Sequence, residues 1–403
     1  MAEVNPFRAA RPAPALAARV IAPPYDVLTA AEAAALAADP LSFVHVTRSE
    51  VDLPPGADPH SAAAYARARQ NLDAMLANGT LVRDEQPRIY VYAQRMGGHT
   101  QAGFIALASV EAYDRGEIRK HELTRPDKED DRTHHMETLD AQVGLVFLAY
   151  RAHAGLRAIL DATVTTPPAW RVQTEDDVEH AFWALPEALT DAVQRGFAEA
   201  GDLYVADGHH RSAAASRVHA RRGDAASAWF IAGMFPDDRL QILDYNRVVF
   251  GAPPIADLLD ALAPSFEVHA GDAQGPHTPS GPGEFTMYAA GRWYALRPRP
   301  DRIQPRDPVA ALDVSVLQDH VLGPLLGIHD PRRSERIRFV GGIRGVAALT
   351  AEVDAHPGAV AFHLHPTSLA ELFAVADAGQ IMPPKSTWFE PKLREGVVVH
   401  LLR

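Results

Sequence analysis

The stretch "VADGHHRSAAA", Val205 to Ala215, places an acid, a glycine, two histidines and an arginine in one short segment. The apolar residues before it predict a strand, and the alanine-rich residues after it predict a helix to about Arg222. The first N–H groups of a helix lack intrahelical acceptors and carry the positive end of its dipole, so they bind anions. We therefore predict a phosphate or carboxylate site here. Its predicted ligands are Asp207, Gly208, His209, His210 and Arg211.

The side chains of this turn have further predicted roles. Asp207 either caps the helix or holds a histidine in one tautomer. His209 and His210 are candidate catalytic residues as well as anion ligands, because an imidazole both donates hydrogen bonds and exchanges protons near neutral pH.

A second group of polar residues fills "RKHELTRPDKEDDRTHHMETLD", from Arg119 to Asp140. In its "KHELTR" portion Glu122 is a candidate general base. His121 and Arg125 lie beside it in the sequence and are candidate supporting residues.

The later part of this segment, Glu129 to Asp140, is predicted to be helical, with Arg132 as a further supporting residue on one face. On this helix His134 and Glu137, three residues apart, could share a metal ion. A protein metal site needs three or four ligands, and no third ligand is identifiable there. The sequence therefore predicts no firm metal site, with Asp207 as the other candidate ligand.

Two segments, "APPYDV" and "MPPKSTWFEPK", place polar side chains after paired prolines, which hold the chain extended. In the first, Asp26 is a candidate general base and Tyr25 a supporting residue. In the second, Lys385, Ser386 and Thr387 offer an ammonium group and two hydroxyls, which suit phosphate oxygens. Only four of the 39 Lys and Arg residues are lysines, and two of these lie in this segment. We predict that the segment closes over the "DGHHR" turn.

Composition excludes several classes of protein. Of the 403 residues 47% are hydrophobic and 22% are charged, which is typical of a globular protein. The net charge of −12 disfavours a protein that mainly grips nucleic acid. The absence of cysteine excludes disulfides, a thiol nucleophile and thiolate-bound zinc. No apolar leader or membrane-length run is present, so we expect a cytoplasmic protein. Walker A, G-x-G-x-x-G and G-x-S-x-G motifs are absent.

The remaining pattern predicts the elements that position these groups. Strands are expected in "LSFVHVTR", "RIYVYAQR", "AGFIALASVEAY", "GLVFLAY" and "RIRFVGG", and helices at Ser61–Ala77 and Leu185–Ala200. "AWFIAGMF" and "LQILDYNRVVF" are predicted to be neighbouring strands. Strands and helices alternate irregularly, so the predicted class is α+β (mixed α/β). We expect a core domain over residues 1–250, an α+β region over 251–403 and a flexible loop at 269–284.

The "DGHHR" turn resembles a motif of the free serine kinases, relatives of the ParB chromosome-partitioning proteins and of sulfiredoxin. Over nearly the whole chain, the order "APPYDV", "KHELT…DR", "DGHHR", "LDYNRVV", "DVSVLQDHVLGPLLGI" and "MPPKSTWFEPKL" resembles one large bacterial family, domain of unknown function 1015. The resemblance implies a ParB/sulfiredoxin-like catalytic core elaborated with additional strands and helices. It also implies that Gly208, His209, His210 and Arg211 contact phosphate, while the kinase's catalytic glutamate has no matching position here.

Genes of this family often lie beside those of phosphoglycerate dehydrogenase and phosphoserine aminotransferase, which implies phosphoserine chemistry. The function we predict is therefore a phosphotransfer enzyme acting on free serine or phosphoserine, as kinase or phosphatase. The alternative is a nucleotide-binding switch related to ParB, which needs the phosphate site but no catalytic base. Mg²⁺ is expected if ATP or ADP is used, and zinc, haem and flavin are not expected. The predicted partners are this small-molecule substrate and a nucleotide. Binding to a membrane or to nucleic acid is not expected, and the prediction leaves open whether the protein forms an oligomer.

Overall fold

The computed structural model describes residues 3–271 and 278–403, and its contacts divide the chain into two compact units. The first unit comprises residues 1–240 and 391–403, and the second comprises 241–390. The sequence predicted a single boundary after residue 250, whereas here the last thirteen residues return to the first unit. Of the loop predicted at 269–284, His269 and Ala270 lie in a strand and residues 272–277 lie outside the described residues.

The described residues form many short strands and helices, which we number in chain order. The strands are β1 Val4–Asn5, β2 Ala10–Pro12, β3 Leu81–Arg83, β4 Tyr90–Met96, β5 His99–Ser109, β6 Ile118–Arg119, β7 Ala141–Gln142, β8 Val146–Tyr150, β9 Trp170–Gln173, β10 Val178–Ala184, β11 Leu203–Asp207, β12 Trp229–Pro236, β13 Gln241–Leu243, β14 Tyr245–Val249, β15 Phe266–Ala270, β16 Phe285–Ala289, β17 Arg292–Pro298, β18 Ile337–Gly341, β19 Val360–Leu364, β20 Trp388–Glu390 and β21 His400–Leu401. The helices are α1 Ala17–Val20, α2 Ala30–Leu36, α3 Val44–Thr47, α4 Ala62–Ala77, α5 Val110–Asp114, α6 Pro126–Leu139, α7 Ala154–Val164, α8 Thr190–Ala200, α9 His209–Arg222, α10 Ile255–Leu262, α11 Asp313–Leu317, α12 Gly345–Asp354 and α13 Leu369–Asp377.

The first unit is built on a mixed sheet in the order β6-β11-β8-β12-β5-β4-β10-β9, with β1 added beside β5. Strand β11 is parallel to β6, and β12 is parallel to β8, while the other pairs are antiparallel. All five residues of β8 are buried, which agrees with a central strand covered on both faces. The α+β class predicted from the sequence is confirmed.

Helix α9 packs against α6 and α5 in the first unit. Its inward face contributes Ala214, Ala215 and Val218 to the main hydrophobic core. Its outward face carries arginines that pair with acids of α6: Arg217 with Asp130 at 2.5 Å and Arg221 with Glu137 at 2.9 Å. The start of α9 is therefore fixed by packing along the helix as well as by the strand that precedes it.

The second unit contains a separate antiparallel sheet in the order β15-β17-β16-β19-β14-β18 and a two-stranded pair, β13 and β20. A hydrophobic cluster that includes Val248, Trp293, Leu349 and Ala361 fills one of its layers. The sequence-based pairing of "AWFIAGMF" with "LQILDYNRVVF" is wrong, because β12 lies in the first unit's sheet and β14 in this one.

Several local predictions are confirmed. The helix predicted at Ser61–Ala77 is present as α4, which begins after its N-cap Ser61, and Thr29 and Glu32 form a capping box at the start of α2. The strands predicted in "RIYVYAQR" and "AGFIALASVEAY" are present as β4 and β5, which form an antiparallel hairpin across Gly97 and Gly98. These features depend on residues within a few positions of one another, which is why the sequence shows them.

The strand predicted in "LSFVHVTR" is wrong, since these residues form the short helix α3. Its β-branched residues favour a strand, but tertiary contacts decide the outcome. Val44 and Val46 are fully buried, and the N–H of Phe43 donates to the carbonyl of Val20. The segment packs between α1 and α4 instead of joining a sheet.

The stability of the second unit is expected to fall between pH 5 and pH 8 because of Asp313. Burial raises the pKa of this carboxyl to about 7, and it still accepts a hydrogen bond from the N–H of Gly283. Since the folded-state pKa lies above the unfolded value, the stabilising contribution is complete at low pH and disappears as pH rises through 7. Between pH 5 and pH 8, the free energy of unfolding of the parent protein should fall by about 2 to 3 kcal/mol more than that of Asp313→Asn.

Urea unfolding of the full chain at both pH values measures this difference. The matched control is Asp319→Asn, an exposed acid six residues further along the same segment. We expect its difference from the parent protein to be the same at both pH values. An equally flat difference for Asp313→Asn would contradict the assignment.

Candidate active site

The turn between β11 and α9 depends on Gly208. Its φ of +89° lies in the left-handed region, and a Cβ there would approach the Cα of Val146 to 3.4 Å. As the N-cap residue it has no side chain to cap the helix. The N–H groups of His209 and His210 therefore lack an intrahelical acceptor. The predicted strand–turn–helix is confirmed, and it presents an uncapped, positive helix end.

Asp207, the last residue of β11, pairs with a lysine rather than capping α9. Its Oδ1 accepts from the N–H of Gly208 at 2.7 Å, and its Oδ2 accepts from Nζ of Lys392 at 2.8 Å. Partial burial disfavours the charged form, but the Lys392 ammonium holds the pKa of Asp207 well below its usual range. The turn thus carries an ionised carboxylate with a cation beside it. The sequence analysis missed Lys392, whose only signal was the scarcity of lysine.

Arg211, in the first turn of α9, is held from two sides. Its Nη1 donates to the carbonyl of Leu145 at 3.0 Å, and its Nη2 donates to Oε1 of Glu395 at 3.0 Å. Gly144 makes room for the side chain, because a Cβ there would come within 2.8 Å of Arg211 Nε. Glu395 is only 3% exposed, and burial raises its pKa even though Arg211 opposes the shift. This second missed residue anchors the guanidinium at the turn.

The "PPYD" loop lies against the same group of charges. Oε2 of Glu395 accepts from the N–H of Tyr25 at 3.2 Å, and Arg48 Nη1 donates to the Tyr25 carbonyl at 3.2 Å. The Tyr25 ring packs against the guanidinium carbons of Arg132 at 4.0 Å and Arg211 at 5.5 Å. Burial raises the pKa of Tyr25 to about 12, so the phenol remains a hydrogen-bond donor at neutral pH. The predicted supporting residues Tyr25 and Arg132 thus meet at the "DGHHR" turn.

Asp26 is exposed at the mouth of this arrangement. Its carboxylate is close enough to influence the ionisation of His210, Arg211 and Glu395. Among residues 3–271 and 278–403, no hydrogen bond or ion pair to the Asp26 side chain is formed. The loop therefore holds an accessible carboxylate beside the start of α9.

"KHELTR" also reaches the turn. The rings of His121 and His209 meet edge to face with centroids 4.7 Å apart, and Glu122 places a carboxylate oxygen within 4.8 Å of their nitrogens. His210 accepts a hydrogen bond from the N–H of Arg125 through Nε2 at 3.1 Å, and burial lowers its pKa. The Arg125 side chain pairs with an acid of α6 at the surface, so its backbone rather than its guanidinium faces the site.

The three residues predicted to close over the turn lie in the second unit. The ammonium of Lys385 lies 5.7 Å from the centre of the Tyr245 ring, and its carbonyl accepts from Arg247 at 2.9 Å. Ser386 is buried and its hydroxyl donates to the carbonyl of Pro383 at 2.6 Å. Thr387 follows, half-buried, immediately before β20. Within the second unit these residues form a turn that leads into this strand.

The alternative metal pair on α6 does not form a site. His134 is exposed, and Glu137 binds Arg221 of α9. In the part of the chain that the structure describes, His121, Glu122 and His209 are the group of three metal-ligating side chains whose donor atoms converge. Asp207 is not among them.

Comparison with known proteins identifies the family. The model of a family described as "Protein of unknown function (DUF1015)" matches residues 4–315. The chain belongs to this family. The matched residues include the "PPYD", "KHELTR" and "DGHHR" segments and end before Lys392 and Glu395. No curated protein matches the chain significantly.

Solved structures share low identity with this DUF1015 chain. SbnI with a C-terminal truncation from Staphylococcus aureus is 12% identical, with a TM-score of 0.40, covering 72% of this chain and 84% of that one. A mutant free serine kinase in complex with ADP is 11% identical, with a TM-score of 0.36, covering 71% and 87%. A conserved hypothetical protein from Pyrococcus furiosus is 12% identical, with a TM-score of 0.34, covering 71% and 90%.

Across residues 3–271 and 278–403, no helix combines the length and the apolar character needed to cross a bilayer.

Proposed function

We propose that this protein transfers a phosphoryl group to or from the hydroxyl of free serine at the N-terminal turn of α9. The observation that carries the proposal is the convergence at one uncapped helix end of Arg211, an accessible carboxylate on Asp26 and two buried imidazoles. A helix N-terminus binds a phosphate dianion, and a nearby carboxylate accepts the proton of an attacking hydroxyl.

The phosphate-binding part of the proposal rests on charge and on backbone geometry. The free N–H groups of His209 and His210 point out of the first turn of α9. Lys392 and Arg211 flank that turn, each already balanced by one carboxylate. Phosphoryl transfer requires mainly positioning and charge stabilisation, and fixed groups of this kind supply both.

The proton-transfer part rests on Asp26. In the forward direction the serine oxygen forms a bond to phosphorus, the donor's bridging oxygen leaves as the phosphate of the donor product, and the serine proton passes to Asp26. In the hydrolytic alternative a water oxygen forms the bond to phosphorus and gives a proton to Asp26. The bond between phosphorus and the serine oxygen breaks, and that oxygen takes up a proton, so the products are free serine and inorganic phosphate. Glu122 is the alternative base from the sequence analysis, and its proximity to His121 and His209 suits a ligand role better.

A nucleotide donor, ATP or ADP, would bring Mg²⁺ on its own phosphate oxygens. Asp207 is the carboxylate of the turn that we assign to such an ion. The competing hypothesis, a nucleotide-dependent switch, needs no base at the turn. The accessible position of Asp26 beside Arg211 favours an enzyme over a switch.

Phosphorus NMR of the purified full chain tests this function. Separate samples contain phosphoserine, or serine with ATP, ADP or pyrophosphate, each with and without Mg²⁺. We expect phosphoserine to be formed or consumed in at least one sample, and turnover to be lost in His209→Ala. No turnover in any sample, with the protein folded, would contradict the proposal.

Gly208→Ala is expected to reduce both stability and turnover. An alanine held at a φ of +89° costs about 1 to 2 kcal/mol, and relief of that strain would shift the N–H groups of the turn. Misplaced groups of this kind lower turnover by about 100-fold. The measurements are urea unfolding and the NMR assay.

The matched control is Gly223→Ala at the other end of α9, where φ is +63° and no atom would contact the new Cβ. It should show a similar loss of stability and normal turnover. Equal turnover in the two variants would show that the start of α9 is not part of the active site.

A further inference from the structure

His121 and His209 are two buried histidines whose hydrogen bonding is incomplete. They are 2% and 6% exposed, and none of their four ring nitrogens makes a hydrogen bond of good geometry with a described residue. A weak contact with the backbone of Val205 remains at His121. A buried polar atom without a partner costs about 1 to 3 kcal/mol, so it usually has a specific reason. One unsatisfied histidine could be accommodated by packing. Two that meet edge to face, beside a carboxylate, indicate a ligand that completes them.

The donor atoms of these two histidines and of Glu122 all lie within 4.8 Å of one another. The donors around a tetrahedral ion bound at about 2.1 Å are about 3.4 Å apart, so small side-chain rotations would close the set. His209 opens α9 and the other two follow β6, which means that the three ligands come from two elements fixed by the first unit's sheet.

The charges around the pair are mixed. The carboxylate of Asp207 adds negative charge near both rings, while Lys120 and His210 oppose a cation at His209. The Lys120 ammonium packs 3.9 Å from the centre of the Tyr113 ring.

We propose that His121, Glu122 and His209 hold one divalent transition-metal ion, such as Zn²⁺, Mn²⁺, Fe²⁺ or Co²⁺. Two imidazoles with one carboxylate suit these ions, whereas Mg²⁺ prefers a shell of oxygen ligands. Three protein ligands leave a coordination position open, which is typical of catalytic metal sites. The expectation of no zinc rested on the lack of cysteine, which excludes thiolate ligands alone. Because His209 begins α9, the ion would lie beside the proposed phosphate site.

Metal binding is measured without any substrate, so this proposal and the phosphoryl-transfer proposal fail independently. The full chain, without a polyhistidine tag, is stripped with a chelator and titrated with Co²⁺. Calorimetry gives the stoichiometry, and the visible absorption of Co²⁺ reports its coordination. We expect one ion per chain with the intense bands of a four- or five-coordinate site. Absence of binding by the folded chain would overturn the proposal.

Ligand variants locate the ion. His121→Ala and His209→Ala should each weaken Co²⁺ binding by at least about 100-fold, more than is usual for an outer-shell partner. The matched control is His134→Ala, an exposed histidine of α6 near Glu137, which should bind Co²⁺ normally. Circular dichroism shows whether the variants fold, and where an alanine variant does not, Glu122→Gln replaces it with the same expected loss. Binding that survives in the folded ligand variants, or is lost in His134→Ala, would overturn the assignment.

Discussion

Asp26→Asn is expected to lower the rate of phosphoryl transfer by about 100- to 10,000-fold, the range that a positioned general base contributes. The amide keeps the size of the side chain but cannot accept a proton from the attacking hydroxyl. Asp26 is exposed and no described residue binds its side chain, so the substitution should leave the fold intact. Phosphorus NMR time courses at saturating substrate measure the rate, and circular dichroism measures the fold.

The control for this variant is Asp191→Asn, an exposed carboxylate in the first turn of α8. Helix α8 packs against α7 rather than α9, so its turnover should equal that of the parent protein. A normal rate in Asp26→Asn would show that another group accepts the proton. Glu122→Gln would then be the next variant to assay.

Arg211→Met is expected to lower the free energy of unfolding by about 3 to 5 kcal/mol. Methionine retains much of the apolar stem but leaves Glu395 buried, at 3% exposure, without its ion-pair partner. The carbonyl of Leu145 loses a donor in the same substitution. The loss arises because the buried carboxylate of Glu395 no longer has a cation beside it. Adding Glu395→Gln to this variant should therefore restore a large part of the lost free energy of unfolding.

Urea unfolding of the single and double variants measures these effects. The control is Arg221→Met on the same helix, where Arg221 is exposed and its ion-pair partner Glu137 is partly exposed. An exposed pair of this kind contributes at most about 1 kcal/mol. Similar losses in Arg211→Met and Arg221→Met would contradict the account of Arg211 as a buried anchor.

The strand–turn–helix of the candidate site was predictable because its residues are consecutive in the sequence. "VADGHHRSAAA" contains the strand end, the glycine that the left-handed turn requires and the alanine-rich helix in consecutive residues. Tyr25, Asp26, His121 and Glu122 were predicted as site residues from proline stiffening and polar clustering. The structure brings all four to the turn through contacts over long sequence distances, which no local pattern could establish.

Lys392 and Glu395 were missed for the same physical reason. Lys392 binds Asp207 across 185 positions and Glu395 binds Arg211 across 184. The chain leaves the first unit at residue 240 and returns to it at 391, so these two residues enter the site after a whole intervening unit. In the sequence they follow "MPPKST", where the paired prolines led to the prediction of Lys385 as the site residue.

The wrong strand in "LSFVHVTR" has a different cause. Alternating β-branched residues fit a strand. Here, however, a short helix buries Val44 and Val46 beside α1 and α4. Intrinsic preference is a weaker determinant than packing for so short a segment. The wrong pairing of β12 with β14 also arose from local reasoning. These strands are close in sequence, but they belong to the sheets of different units.

The most direct test of phosphoryl chemistry at the start of α9 is a crystal structure of the protein with phosphoserine bound. We expect the phosphate oxygens to lie about 2.7 to 3.2 Å from the backbone nitrogens of His209 and His210, with Arg211 beside them. The serine oxygen should face Asp26. A phosphate bound elsewhere in the protein, with the first turn of α9 empty, would contradict the account.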